Sequence, residues 1–338
     1  MIYNFFKKIH AASDYSAIAE GIDGFIYNTG INYEGCLGNG ITTDCKVPQL
    51  TKVEIEDIKD MTPAESVQDN RTYILKNDNT LWACGGNTYG QLGLGHTDNV
   101  TGFKKTLDNV KCISSRYFGN EASFAIKNDN TLWVCGDNYY GQLGISTNNE
   151  ERIQLTWVQS NIDNIKEIYP TENCSLAVKN DNTLWVTGTP ARGSSIGVGK
   201  DVETEGEWIH IGDDVKKVIA ANYRFVVLKN DGTLWVCGDN SSGAAATENL
   251  NEEEIWTYKK LDNIDMSNIK YIIVGNEATF FLKNDGTLWT CGYNGMGQLG
   301  VGNYDDVVTI TQICDNVKEV ACGVYHTLVL KNDGTLWG

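Results

Sequence analysis

Basic residues are scarce in this sequence: 27 Lys and Arg stand against 44 Asp and Glu, leaving a formal net charge of −17. Binding to a phosphate backbone rests on clustered Lys and Arg, so this balance argues against nucleic acid as the main partner, and against an anionic membrane surface. Such a charge keeps a protein soluble. It would also steer a protein partner with a basic face, an attraction that salt weakens. Histidine occurs only four times, as His10, His96, His210 and His326, with no i,i+4 pair, and no tuned acid–base pair can be read from them. The ten cysteines include no Cys-x-x-Cys pair, which argues against zinc. No hydrophobic run is long enough to cross a membrane. At the N-terminus, Met1-Ile-Tyr-Asn-Phe-Phe-Lys-Lys puts its lysines after the apolar residues, the wrong order for a secretory signal, which predicts a cytoplasmic protein. Methionine and proline, at four each, are also rare.

Glycine and aromatics are plentiful instead, with 35 Gly, 9 Trp, 16 Tyr and 9 Phe, a composition of short strands joined by tight turns. A length of 338 residues would ordinarily suggest two domains, but repeat-built β architectures run longer as one unit. The repeat is Leu228-Lys-Asn-Asp-Gly-Thr-Leu-Trp-Val-Cys-Gly238, and it recurs at 75–85, 126–136, 178–188, 282–292 and, truncated, at 330–338. A degenerate copy lies at 20–30. Its aromatic slot falls at Tyr27, Trp82, Trp133, Trp185, Trp235, Trp289 and Trp337, with spacings of 55, 51, 52, 50, 54 and 48. That makes seven units.

Within a unit, Leu234 and Val236 alternate with Trp235 and Cys237, as in a strand with two faces. The preceding turn holds only Gly or Asn after its Asp, the two residues that accept positive φ cheaply. The seven Asp (Asp23, Asp78, Asp129, Asp181, Asp231, Asp285 and Asp333) invite a metal reading, but bonding to the turn backbone explains them without one. Two apolar segments precede each hairpin and one follows it, giving strands A, B, C and D. Four strands at this period predict an all-β, seven-bladed β-propeller. The blades are expected at about 7–53, 54–107, 108–159, 164–212, 214–261, 268–315 and 317–338, the last completed by residues 1–6. This 3+1 closure by the N-terminal strand would leave no unpaired ring edge and make 1–338 a single domain. Cys84, Cys135, Cys237 and Cys291 share one slot on separate blades, as small thiols packed in each and not as disulfides.

After strand C, three units carry Gly85-Gly-Asn-Thr-Tyr-Gly-Gln-Leu-Gly93, Gly136-Asp-Asn-Tyr-Tyr-Gly-Gln-Leu-Gly144 and Gly292-Tyr-Asn-Gly-Met-Gly-Gln-Leu-Gly300, and Gly323-Val-Tyr-His-Thr-Leu-Val-Leu330 lies upstream of the last C strand. With these motifs the chain resembles the regulator of chromosome condensation repeat family, as a bacterial-type member. The resemblance implies seven blades and a range of roles: a nuclear exchange factor for a small GTPase that docks on chromatin, adaptor domains, and an inhibitor that binds β-lactamases through one face. A chromatin role sits badly with the acidic charge and the lack of a basic tail. The fourth unit has Thr189-Pro-Ala-Arg-Gly-Ser-Ser-Ile-Gly197 in place of the Gln-Leu-Gly signature, and the fifth has Gly243-Ala-Ala-Ala.

No catalytic residue is assigned. Gly193-Ser-Ser-Ile-Gly197 matches a nucleophile-elbow pattern but fills a loop slot where a strand–turn–helix is required, and no His is assignable as its base. A P-loop at Gly197-Val-Gly-Lys200 would need Gly at Ser194 and Ser or Thr at Asp201. Neither cofactor nor metal is expected. The Lys-Asn-Asp turns between B and C are nearly constant and look structural. The opposite end varies and carries Asp14, Tyr15, Tyr117, Phe118, Tyr169, Tyr223, Arg224, Tyr325 and His326 in its A–B turns, the expected partner-binding set. Tyr89, Tyr139, Tyr140 and Tyr293 lie in or beside the C–D loops, with Glu65, Asp69, Glu121, Glu172 and Glu277 around them. Aromatics with an occasional Arg are the stuff of interface hot spots, although several could equally plug the packing between blades. The reading is a monomeric, non-enzymatic platform for a protein partner. A guanine-nucleotide exchange factor and a protein inhibitor of an enzyme are the alternatives.

Overall fold

A computed structural model describes residues 6–13, 16–41, 46–62, 71–114, 121–146, 152–171, 173–189, 197–199, 204, 206–220, 224–245, 254–261, 268–274, 278–323 and 326–338. Each repeat grows outward from its B–C hairpin. In the second, Asp78 Oδ1 accepts the Thr80 N–H at 2.9 Å and the Thr80 hydroxyl at 2.6 Å, and Trp82 Nε1 donates to Thr80 Oγ1 at 2.9 Å. The same three bonds recur from Asp129, Asp181, Asp231, Asp285 and Asp333. In the first repeat, where Phe25 and Tyr27 replace Thr and Trp, Asp23 accepts the Phe25 N–H at 3.2 Å and the Tyr27 hydroxyl at 2.8 Å. The residue after each Asp is left-handed, with φ of 64° at Asn79 and 84° at Gly232, which is why only Asn and Gly stand there. Lys76, Lys127, Lys229, Lys283 and Lys331 each hold their ammonium over the Trp of the same hairpin, at 3.5 Å for Lys127 on Trp133. The constant turn is therefore consumed by its own geometry.

Among the described residues, 27 strands form seven antiparallel sheets, each in simple chain order. The first holds β1 (Phe6–Ser13), β2 (Ser16–Gly21), β3 (Ile26–Ile31) and β4 (Lys46–Val53), and the second β5 (Ile58–Thr62), β6 (Arg71–Lys76), β7 (Leu81–Gly85) and β8 (Val100–Leu107). The third holds β9 (Val110–Ser114), β10 (Ala122–Lys127), β11 (Leu132–Asp137) and β12 (Ile153–Gln159), and the fourth β13 (Ile165–Pro170), β14 (Cys174–Lys179), β15 (Leu184–Gly188) and β16 (Ile209–Gly212). The fifth holds β17 (Val215–Ala220), β18 (Arg224–Lys229), β19 (Leu234–Asp239) and β20 (Glu254–Lys260), and the sixth β21 (Ile269–Val274), β22 (Ala278–Lys283), β23 (Leu288–Gly292) and β24 (Val307–Cys314). The seventh has three described strands, β25 (Val317–Cys322), β26 (Thr327–Lys331) and β27 (Leu336–Trp337). Phe6, expected in a closing strand, pairs with Gly21 inside β1 instead; residues 1–5 of that strand lie outside the described residues.

The chain divides into two compact units, Met1–Asn180 with Thr204–Trp208, and Asp181–Glu203 with Ile209–Gly338. In the first, Tyr73, Leu75 and Leu81 of the second sheet pack on Val110, Ala125, Cys135 and Trp157 of the third. In the other, Val226, Leu234 and Val236 pack on Ile272, Phe281 and Cys291. Sheets covered on both faces bury both sides of strand C, so Cys237 is as buried as Val236, while Trp235 stays half-buried under its lysine. Burial of an alternating set on both faces is what lets B strands such as Tyr73-Ile-Leu read as unbroken apolar runs. No helix of the described residues is long and apolar enough to cross a membrane.

Candidate functional site

In a four-stranded antiparallel sheet the A–B and C–D connections lie at one end and the B–C turn at the other. Five of the C–D loops are each organised by one buried side chain. Asn87 is fully buried; its Oδ1 accepts the Leu92 N–H at 2.9 Å and its Nδ2 donates to the carbonyls of His96 at 2.7 Å and Asp98 at 3.1 Å. Asn32, Asn138, Asn240 and Asn294 hold the amide five residues on in the same way, at 3.0, 2.9, 3.2 and 3.0 Å. The fifth loop, whose Gly243-Ala-Ala-Ala departs from the signature, keeps this bond. So does the first loop, Asn32-Tyr-Glu-Gly-Cys-Leu37, a copy that sequence comparison passed over because Cys36 stands where Gln is usual.

Several of the loops are also pinned to the next sheet. A Cβ on Gly35 would come within 2.6 Å of Thr101 in β8, one on Gly90 within 2.8 Å of Leu155 in β12, and one on Gly243 within 2.6 Å of Val308 in β24. Isolated bridges join Asn39 to Gly102 and Leu94 to Thr156. A latch closes the junction. Cys135 Sγ donates to the Gln91 carbonyl at 3.1 Å, and the Tyr73 hydroxyl donates to that same oxygen. The Cys36 carbonyl takes Thr72 Oγ1 at 2.8 Å and Cys84 Sγ at 3.4 Å, and the Ala244 carbonyl takes Thr279 Oγ1 at 2.9 Å. The repeat cysteines are thus structural, and burial pushes the Cys84 and Cys135 thiols far above their ordinary range.

Exposed apolar side chains stand on these Asn-organised loops: Tyr33, Tyr89 and Tyr139 in the first unit, Met296 and Tyr304 in the second. Tyr139 meets Tyr140 edge-on at 4.8 Å, and the Arg152 guanidinium lies 4.1 Å above the Tyr139 ring. Asp137 beside them is pushed up from its ordinary value by burial, although the Tyr139 N–H and Gln142 Nε2 both donate to it.

Of the residues expected to bind a partner, Asp14, Tyr15, Tyr117, Phe118, Tyr223 and Tyr325 lie outside the described residues. Tyr169 is half-buried in β13 and donates its hydroxyl to Glu167. Arg224 is 2% exposed, and its Nη2 donates to the Ala278 carbonyl of the next sheet; it is a strut between sheets. His326 is exposed beside Gly323 and lines a cavity of about 580 Å³ with Leu299, Ile313, Leu328 and Trp337. Of the acidic set, Glu121 is described: its Oε2 accepts Gln91 Nε2 at 2.8 Å and pairs with the buried Arg71 at 3.3 Å. Two other histidines are used locally, His210 against Asp213 at 2.9 Å and His96 accepting the Asp98 N–H at 3.2 Å. No trio of His, Cys, Asp or Glu that could hold a metal occurs among the described residues. The Gly193–Gly197 elbow motif falls, but for Gly197, outside them.

Sheets of this kind, tied in series by loops that clasp the next sheet, define a β-propeller repeat protein. The family model "Regulator of chromosome condensation (RCC1) repeat" matches residues 285–330 and, in a second version, 110–142 and 269–298. Those segments are similar to that family's repeat. The chain is 40% identical over 72 residues to the Bos taurus secretion-regulating guanine nucleotide exchange factor, covering 21% of this chain and 16% of that protein. It is 29% identical over 143 residues to the human X-linked retinitis pigmentosa GTPase regulator, covering 40% of this chain and 13% of the relative. The chain thus spans under a fifth of the length of either. Among solved structures, human WBSCR16 superposes with a TM-score of 0.69 at 18% identity over 96% of this chain and 87% of that one. Prp20p of Saccharomyces cerevisiae, studied for binding to Gsp1p and histones, gives 0.66 at 18% over 94% and 81%.

Proposed function

We propose that this chain is a non-enzymatic protein-interaction module that engages its partner through the A–B and C–D ends of its sheets. The observation that carries this reading is the exposure of Tyr33, Tyr89, Tyr139, Met296 and Tyr304 on loops whose backbone is already fixed from within. An apolar side chain on a rigid loop loses little entropy on binding, which is the economy of a hot spot. Among the described residues the opposite end offers no such set, since its Asp, Thr, Lys and Trp are spent on the turn. The test is capture of partners by wild type, by a Tyr89→Ala, Met296→Ala, Tyr304→Ala variant, and by Ile22→Ala at the B–C end. Loss with the first variant alone is expected; equal capture by all three, each folded, overturns the assignment.

Exchange-factor activity is the second reading, favoured by the name of the Bos taurus relative and by Gsp1p in the Prp20p study. Nucleotide release from purified small GTPases, followed with and without the protein, measures it directly.

A further inference from the structure

The loops that join the strands at the variable end are acidic. The segments joining A to B and C to D strands carry 20 Asp and Glu against four Lys and Arg, a balance of −16. The remaining 24 acidic and 23 basic residues cancel to −1. The turns and connections at the other end of the sheets are acidic as well, and the basic residues lie mostly in the strands, so it is the exposed rings, and not the charge, that set this end apart. Among the described residues of those segments, Arg152 supplies the one basic side chain, and it lies flat over Tyr139 at 4.1 Å. Tyr139 is nevertheless 54% exposed, and Tyr33 and Tyr89, at 38% and 40%, occupy the matching loops of the two preceding sheets.

From these observations we propose that the C–D loops of the first three sheets bind an arginine-rich segment of a partner protein, stacking its guanidinium groups on Tyr33, Tyr89 and Tyr139. This rests on the interaction-module reading and names the partner's chemistry. Arg152 is the internal example of the contact: a planar, weakly hydrated cation on the face of an exposed tyrosine. Three rings on three successive loops call for a segment with several arginines. The acidic loops raise the local concentration of such a cation and repel phosphate-bearing competitors. The buried Asn32, Asn87 and Asn138 hold the loops in place before binding, so the partner alone is ordered.

The experiment is fluorescence anisotropy with labelled nonaarginine and nonalysine peptides, across a salt series, with thermal melting of every variant. Nonaarginine is expected to bind, to weaken with salt, and to bind more tightly than nonalysine. The triple variant Tyr33→Ala, Tyr89→Ala, Tyr139→Ala should lose about tenfold in affinity, and Ile22→Ala should lose nothing. Arg152→Ala, by vacating the Tyr139 face, should tighten binding about twofold. Should the alanine variant unfold, a triple Tyr→Leu variant keeps the apolar bulk and removes the ring faces. Absence of nonaarginine binding at low salt, equal affinity for the two peptides, or undiminished binding by the folded triple variant overturns the proposal. A physiological partner that needs these loops yet has no arginine-rich segment overturns it too, and leaves the module reading standing.

Discussion

Arg224 Nη2 lies 3.0 Å from the carbonyl oxygen of Ala278, and Arg71 Nη2 stands at the same 3.0 Å from that of Ala122. In both cases the arginine opens a B strand and reaches the first residue of the B strand in the following sheet. Both side chains are 2% exposed. The same bond is thus made once in each unit, and it ties neighbouring sheets at the variable end without facing solvent.

Arg224→Met should therefore act on stability. Loss of a buried, charge-assisted donor is expected to cost about 2–3 kcal/mol, read as a lower urea midpoint with an unchanged slope. Partner or peptide binding by the folded fraction should be unaffected. A variant that melts like wild type but fails to bind would return Arg224 to the interaction surface.

Asn87 gives a sharper case. Its removal leaves the Leu92 N–H and two carbonyls without their buried partner, so Asn87→Ala is expected to cost about 3 kcal/mol. Asn87→Asp keeps the acceptor but turns an oxygen toward the carbonyls of His96 and Asp98. It should be more destabilised at neutral pH than in mild acid, where a protonated carboxyl regains one donor. Chemical denaturation at both pH values measures the difference, and equal losses would mean that the side chain does not organise the loop.

The hairpin aspartates set the acid limit. Hydrogen bonds from Thr80, Thr131, Thr233, Thr287 and Thr335 hold Asp78, Asp129, Asp231, Asp285 and Asp333 below the ordinary carboxylate value, and the Tyr27 hydroxyl does so for Asp23. A depressed folded pKa adds stability above the unfolded value of about 3.9 and loses it as pH falls through the lowered folded values. The thermal midpoint should thus drop steeply below about pH 4. Asn at several of these positions keeps the Oδ1 acceptor and should flatten that limb; an unaltered pH profile would show that the turns do not contribute it.

What the sequence made legible follows from chain-local rules. The period of the Trp slot, the Asn or Gly after Asp, and the alternation of strand C are each decided within one hairpin, and the sheets follow them. Arg224 misled because a buried strut and an exposed hot spot have the same letter, and the carbonyl it meets is 54 residues away. The first loop hid its kinship because comparison weighed the Gln of the signature, whereas the residue that organises the loop is Asn32. Phe6 pairs with Gly21 through a register irregularity of β1, which no local pattern announces.

The Cys135–Gln91 latch bears on how such a protein can change. Its two halves lie in different repeats, so the unit of inheritance that keeps the seam intact runs from the middle of one sheet to the middle of the next. An exchange that carries Asn87 through Cys135 as a cassette moves a whole loop together with the thiol that clasps it. Tyr89, whose side chain takes no part in the clasp, can be rewritten within that cassette, and new recognition can arise there while the seams stay as they are.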